Sequence, residues 1–328
     1  MKIAIIGATG AVGREMIKAL DEEKIPVEEL RLFASERSKG TVLKYKEQEI
    51  TVDCIKENSF DGLDIVLGAC SATLSRKYAP EIVKAGAVFI DNSSAFRMEE
   101  DVPLIVPEIN GEDAAKHHGI ISNPNCSTII TLMALYAIEK LSAITSIIAS
   151  TYQAVSGAGE KGIEELQTEV EALRTGEEFS PSAFPYQIAY NVIPFIGERS
   201  TDDYTTEEMK MENEGRKIFH DPSLNVSCTC VRVPVYRSHS ISVSFSTKEK
   251  LTLEEVRDAI INAKHVRLMD DLEEKCFPMP LTSSNQNDVL VGRIRYDRVL
   301  PNGIALFCCG DQIRKGAAVN AVQIIKCL

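Results

Sequence analysis

Residues 2–13, KIAIIGATGAVG, restrict what this chain can fold into more than any other stretch. KIAII (2–6) reads as a buried strand, and VGREMIKALDEE (12–23) has the apolar spacing of a helix. Between them stand glycines 7, 10 and 13. A glycine run at a strand-to-helix turn allows the tight turn, the close approach of an anion to backbone, and helix–sheet contact. The exposed N–H groups and the dipole of the helix start then hold the anion. The pyrophosphate of a dinucleotide fits this device, with Gly7, Thr9, Gly10, Ala11, Val12 and Gly13 as candidate contacts. A glycine turn needed only for packing is the competing reading.

The alternation continues to about residue 125. ELRLFAS (29–35), DIVLGAC (64–70) and AVFIDNS (87–93) read as strands, and LSRKYAPEIVKAG (74–86) as a helix stopped at Gly86. Strands alternating with helices imply a parallel, doubly wound, Rossmann-type sheet. From about residue 144 the pattern changes. AITSIIASTYQAV, then a long helix EKGIEELQTEVEALRTG, a polar loop EEFSPSAFPYQ, and strand-like runs at 225–236, 240–247, VLVGRIRYD and GIALFCCG suggest an α+β domain with a mainly antiparallel sheet. A helix is expected over 252–264. The expected division is a dinucleotide-binding domain, 1–125, joined by a C-terminal helix at 312–328, and a catalytic and dimerisation domain, 126–311.

A chain of 328 residues suits two cores. Its net charge of −12 argues against a nucleic-acid or membrane-surface binder, which needs a basic patch. No apolar run approaches the roughly 18–20 residues of a membrane span, and the N-terminus lacks a signal peptide's plan. A cytoplasmic location is expected, with the nine cysteines mostly reduced. They form no CxxC pair, and five scattered histidines give no metal site.

The end of the second strand selects the cofactor. Where an NAD-binding chain carries an acid for the ribose hydroxyl, this one reads FASERSKG. Ser35, Arg37 and Ser38 suit a 2′-phosphate, and so NADP. Glu36 dissents, and matters only if its side chain turns inward.

SNPNCSTI (122–129) puts a thiol at the start of the apolar run IITLMALYAI. Thiolate is the reactive form of cysteine, and partial positive charge at a helix N-terminus favours it. Ser122, Asn123 and Asn125 supply turn and cap hydrogen bonds. Cys126 is therefore a candidate nucleophile, whereas a small buried hydrophobe is the default for the other eight cysteines. His239 shares strand parity with Val233, Val235, Ile241, Val243 and Phe245. Periodicity alone makes it a satisfied core histidine, although Pro234 and YRS interrupt that register.

GATGAVG, NSSAFRM, VPEIN, SNPNCST, SGAG, KMENEGRKI, RVPVYRSHS, VGRIRYD and GAAVNAVQ occur in this order. With these motifs the chain resembles the aspartate-semialdehyde dehydrogenases along essentially its whole length. That resemblance implies NADPH-dependent reduction of β-aspartyl phosphate to aspartate β-semialdehyde with release of phosphate, on the route to lysine, threonine and methionine. It implies Cys126 as nucleophile, His239 as acid/base, and Gln153 as the amide orienting substrate beside the thiol. Arg97, Asn125 and Lys217 are implied for phosphate, Arg232 for the α-carboxylate and Glu214 for the α-ammonium. Ser71, Asn92, Ser156, Gly157 and Gln312 are implied on the cofactor side, and a homodimer or dimer of dimers for the assembly. Two positions depart from the family pattern. Gln312 stands where asparagine is usual, and Ile241 where an acidic or amide residue often follows His-Ser.

The chemistry is coherent by itself. A thiolate expels phosphate from an acyl phosphate to leave a thioester, and reduction of that thioester gives the aldehyde. N-acetyl-γ-glutamyl-phosphate reductase shares this logic, but its acylated nitrogen would leave Glu214 without an ammonium. A triose-phosphate dehydrogenase would leave both Arg232 and Glu214 idle. A non-catalytic NADP-binding regulator would not need Cys126 and His239, yet both are present.

Overall fold

The computed structural model describes all 328 residues, in two compact units: residues 1–125 with 317–328, and residues 126–316. In chain order the first holds β1 (Lys2–Ile6), α1 (Ala11–Glu22), β2 (Glu29–Phe33), β3 (Val42–Tyr45), β4 (Gln48–Thr51), β5 (Ile65–Gly68), α2 (Ala72–Lys84), β6 (Val88–Asp91), α3 (Pro107–Asn110) and β7 (Ile120–Ser122). The second holds α4 (Cys126–Glu139), β8 (Ile144–Gln153), α5 (Glu160–Thr175), α6 (Thr206–Ile218), β9 (Asn225–Arg232), β10 (His239–Thr247), α7 (Leu253–Ile261), β11 (Val266–Leu268), α8 (Pro280–Ser283), β12 (Val289–Tyr296) and β13 (Gly303–Gly310). The chain then returns to the first unit as α9 (Val319–Ile324).

The first unit is built on the parallel sheet β2-β1-β5-β6-β7. Ile3, Ile5, Met16, Leu20, Leu67, Ile90, Val319 and Val322 lie in one core beneath it, so the apolar stripes of α1 and α9 are what the sheet covers. The predicted strands and helices of this unit are present. The hairpin β3–β4 and the three-residue β7 are additional; both are too short for apolar alternation to mark them.

In the second unit the sheet order is β11-β12-β13-β10-β8-β9. Three pairings are antiparallel, while β8–β9 and β11–β12 run parallel. The strand expected over 225–236 stops at Arg232, because Pro234 has no N–H to offer a ladder. Residues 233–238 instead form a link, with Val235 and Tyr236 carbonyls accepting from Val155 and Ser156. The expected helix over 252–264 is the shorter α7.

Capping boxes start α6 (Thr205 with Glu208) and α7 (Thr252 with Glu255). The second oxygen of Glu208 accepts from Cys230 N at 3.0 Å, which ties α6 to β9. The polar loop after α5 is held by that helix's own acids. Glu165 accepts from Ser182 and Phe184, and Glu169 from Ile188 and Ala189. α4 is buried on every side from Ser127 to Tyr136, so its first residue is fixed by a rigid element.

Candidate active site

The parallel pairing of β8 and β9 places Gln153 directly opposite Arg232, at the C-terminal ends of both strands. Antiparallel β10 starts at that same end of the sheet, with Ser240 opposite Tyr152. Three sheet registers therefore bring Gln153, Arg232 and His239 together, and all three are buried.

Ala154 anchors two of them through its backbone. Its N–H donates to His239 Nδ1 at 3.0 Å, and its carbonyl accepts from Arg232 Nη1 at 2.7 Å. The Arg232 guanidinium also lies over the Phe184 ring, 5.8 Å from its centroid. Burial lowers its pKa, while the Cys126 thiol and Glu207 favour its charge. Cys126 itself stands at the first position of α4. Gly316 lies against it, since a Cβ there would be 3.1 Å from the Cys126 Cβ.

Burial, then the Arg232 guanidinium, push the His239 imidazole down to about 3, with Glu207 acting the other way. The ring is completely buried, and its Nε2 has no hydrogen-bond partner. On the same strand Ile241, Val243 and Phe245 form the core face, which is why parity alone could not separate His239 from a core histidine.

Gln153 is fixed at both ends of its amide. Oε1 accepts from Thr151 Oγ1 at 3.0 Å, and Nε2 donates to Glu207 at 3.2 Å. Glu207 also pairs with Lys210 at 2.8 Å. It lies on α6 two turns before buried Glu214, on the same helix face, and Lys217 follows Glu214 by three. Glu207 and Thr151 escaped the sequence reading. The seven-residue spacing from Glu214 was the available signal for Glu207.

Gly157 sits against the centre of this group. A Cβ at that position would lie 2.7 Å from Arg232 Nη1 and 3.2 Å from His239 Cε1. Gly157→Ala is accordingly expected to lower kcat/KM by about tenfold or more with little change in Tm, because the crowded atoms belong to positioned side chains and not to the fold. Steady-state kinetics beside a thermal melt checks it. Neighbouring Ser156 bonds Gln312 Nε2, whose Oε1 accepts from Ser238 N at 2.8 Å. Both ends of the Gln312 amide are therefore engaged within the second unit.

The remaining candidates lie in the first unit. Gly7 has φ +81° and no room for a Cβ, which would fall 2.1 Å from Ala69 O. Gly10 caps α1 without a side-chain acceptor, so the first-turn N–H groups at Ala11, Val12 and Gly13 have no cap partner. Thr9 Oγ1 donates to Ser38 Oγ at 3.3 Å, which brings the loop after β2 beside the glycines. Ser35 and Arg37 are exposed there, and so is Glu36. These features fit a nucleotide cofactor. Ser71 caps α2. Asn92 accepts from Arg97 through its carbonyl and from Asn123 through its side chain. Arg97 Nε also donates to Asn123 O, and Asn320 Nδ2 to Asn123 Oδ1. The SNPN turn is thereby fixed, with Asn125 buried directly before Cys126.

The other cysteines have a different character. Burial raises Cys308, and Cys309 to about 11; Cys230 is raised mainly by its neighbour Cys228. Thiols held protonated in this way are poor nucleophiles.

Two family profiles fit the two halves of the chain. The NAD-binding domain of the semialdehyde dehydrogenases matches residues 2–117, and their dimerisation domain matches residues 135–315. By fold and site the protein is thus a nucleotide-dependent oxidoreductase of the semialdehyde dehydrogenase class. Aspartate-semialdehyde dehydrogenase of Aquifex aeolicus is 49% identical over all of this chain and 97% of its own length, and that of Bacillus subtilis 44% over the same shares. The crystal structure of aspartate semialdehyde dehydrogenase II from Vibrio cholerae complexed with ASA superposes with a TM-score of 0.97, at 42% identity, covering 100% of this chain and 97% of that one. The chain belongs to the aspartate-semialdehyde dehydrogenase family.

Proposed function

We propose that the protein catalyses the reversible NADPH-dependent conversion of 4-phospho-L-aspartate to L-aspartate 4-semialdehyde and phosphate, through a thioester on Cys126, in the biosynthesis of lysine, threonine, methionine and diaminopimelate. The observation that carries this reading is the meeting of Gln153, Arg232 and His239 at one end of a sheet, in the same unit as Cys126 at the first position of α4.

The roles follow from the chemistry of each group. Cys126 attacks the acyl carbon from the start of α4, where helix partial charge and the Arg232 cation favour thiolate. Arg232 has a planar fork suited to the α-carboxylate, and Glu214 offers the opposite charge to the α-ammonium. Gln153 orients the carbonyl beside the sulfur, and His239, the sequence-predicted acid/base, serves the carbonyl oxygen. Arg97, Asn125 and Lys217 receive phosphate. The glycine loop with Ser35, Arg37, Ser38, Ser71, Asn92, Ser156 and Gly157 holds NADP, which when bound as NADPH supplies the hydride that reduces the thioester. Gln312 acts on that side by holding Ser156. Preference for NADP over NAD is supported by Arg37 beside two serines.

The reading extends to a cytoplasmic homodimer or homotetramer assembled through the second unit. No helix is long and apolar enough to cross a membrane. The six-stranded sheet carries Ile148 and Tyr152 at 47% and 41% exposure, apolar surface suited to a second copy.

A spectrophotometric assay tests the proposal. NADP reduction is expected with aspartate semialdehyde only when phosphate is present, and titration of both cofactors is expected to give the lower KM for NADP. Activity with the N-acetylated γ-glutamyl analogue in place of aspartate semialdehyde would overturn the substrate assignment.

A further inference from the structure

Glu207 is an acid withdrawn from solvent. It is 9% exposed, and its Oε1 is bonded to the amide of Gln153, itself 1% exposed. A carboxylate taken out of water is costly unless the surroundings compensate it. Two features do so here. Glu207 is the second residue of α6, where the partial positive charge of a helix start favours an anion. Its Oε2 accepts from Lys210 Nζ at 2.8 Å.

This carboxylate constrains its neighbour. It has no proton to give and can only accept, so Gln153 must turn the nitrogen of its amide, and not the oxygen, toward Glu207 at 3.2 Å. The other end of the amide agrees, since Gln153 Oε1 takes the Thr151 hydroxyl at 3.0 Å. Thr151 would not have enforced that choice, because a hydroxyl donates and accepts equally well. Of these two neighbours, only Glu207 discriminates between the two ways round that the amide can sit.

We propose that Glu207 is a positioning residue for this reaction: its carboxylate holds the Gln153 amide in the orientation that presents the second Nε2–H to the carbonyl oxygen of the substrate. This deepens the role given above to Gln153 and rests on it. With a neutral partner at 207 the amide can turn over. Its Oε1 would then meet the substrate oxygen, lone pair against lone pair, and the donor would be lost. The penalty is largest when negative charge builds on that oxygen, so it falls on turnover more than on binding.

Glu207→Gln keeps the volume of the side chain but can offer Gln153 either an oxygen or an NH₂ group. Its kcat with aspartate semialdehyde is expected to fall about tenfold, the scale of one hydrogen bond to a charged group, while KM, NADP affinity and Tm are retained. Glu207 also favours positive charge on Arg232 and on His239, so the route of its action has to be isolated. In a Gln153→Ala background the same substitution is expected to change kcat by less than about twofold. A tenfold loss that persists without Gln153 overturns the proposal, and so does an unchanged kcat in Glu207→Gln alone.

The orientation has a second readout that needs no turnover, so its failure is distinguishable from failure of the activity assigned above. In ¹⁵N-glutamine-labelled full-length protein without substrate, the side-chain amide of Gln153 is the proton pair missing from Gln153→Ala. One proton of that pair is expected to be shifted downfield and slow to exchange in the wild type, and to lose both properties in Glu207→Gln. A wild-type pair that matches an exposed glutamine overturns the proposal whatever the kinetics give.

Discussion

Cys126→Ser is expected to lower kcat by roughly 10⁴-fold or more, the scale seen when a covalent catalyst loses its nucleophile. Serine fills nearly the same volume, so α4, buried from Ser127 to Tyr136, should fold as before. Its hydroxyl does not ionise near neutrality, and the positive charge that favours a thiolate leaves an alcohol protonated. NADP affinity should be unchanged, because Cys126 is not among the residues proposed to hold the cofactor. The measurement is kcat beside equilibrium NADP titration. Persistence of wild-type turnover in the variant would rule out the thioester.

For Arg232→Lys we expect kcat/KM for aspartate semialdehyde to fall about 10²-fold, or about 2.7 kcal/mol of transition-state binding. The charge survives, but the fork does not. A lysine cannot both hold the Ala154 carbonyl and grip a carboxylate in two places, and its ammonium is the more costly cation to bury where Arg232 is 7% exposed. NADP binding should hold. If NADP affinity drops while the semialdehyde KM stays, Arg232 belongs to the cofactor and not to the substrate.

The parts of this protein legible in its sequence are those carried by side-chain pattern. The turn at Gly7, Gly10 and Gly13 announced a Rossmann-type sheet because a strand, a left-handed residue and a helix start leave few other solutions. SNPNCST announced a thiol at a helix start, and α4 begins at that cysteine. What escaped is carried by backbone and by register. Ala154 has no functional side chain, yet its N–H and C=O anchor His239 and Arg232. Gly157 was read for the cofactor, but its missing Cβ leaves room for those same two side chains. Glu207 looked like one charge among many on a polar helix, and only the folded β8 brings Gln153 to it. Strands of three or four residues, such as β7, carry too few positions to display a period.

The pairing of Gln153 with Arg232 also bears on how this protein can be altered. Their relative placement is inherited from the ladder between β8 and β9, whereas the 71 residues that separate the strands in sequence, 154–224, do not set it. A one-residue slip in β9 would turn Arg232 to the opposite face of the sheet and abolish the clamp. Insertions in the stretch from Glu177 to Ser180, where all but half-buried Phe179 are exposed, would leave the pair untouched. That stretch is where a tag, a hinge or a second module could be grafted while the chemistry stays intact.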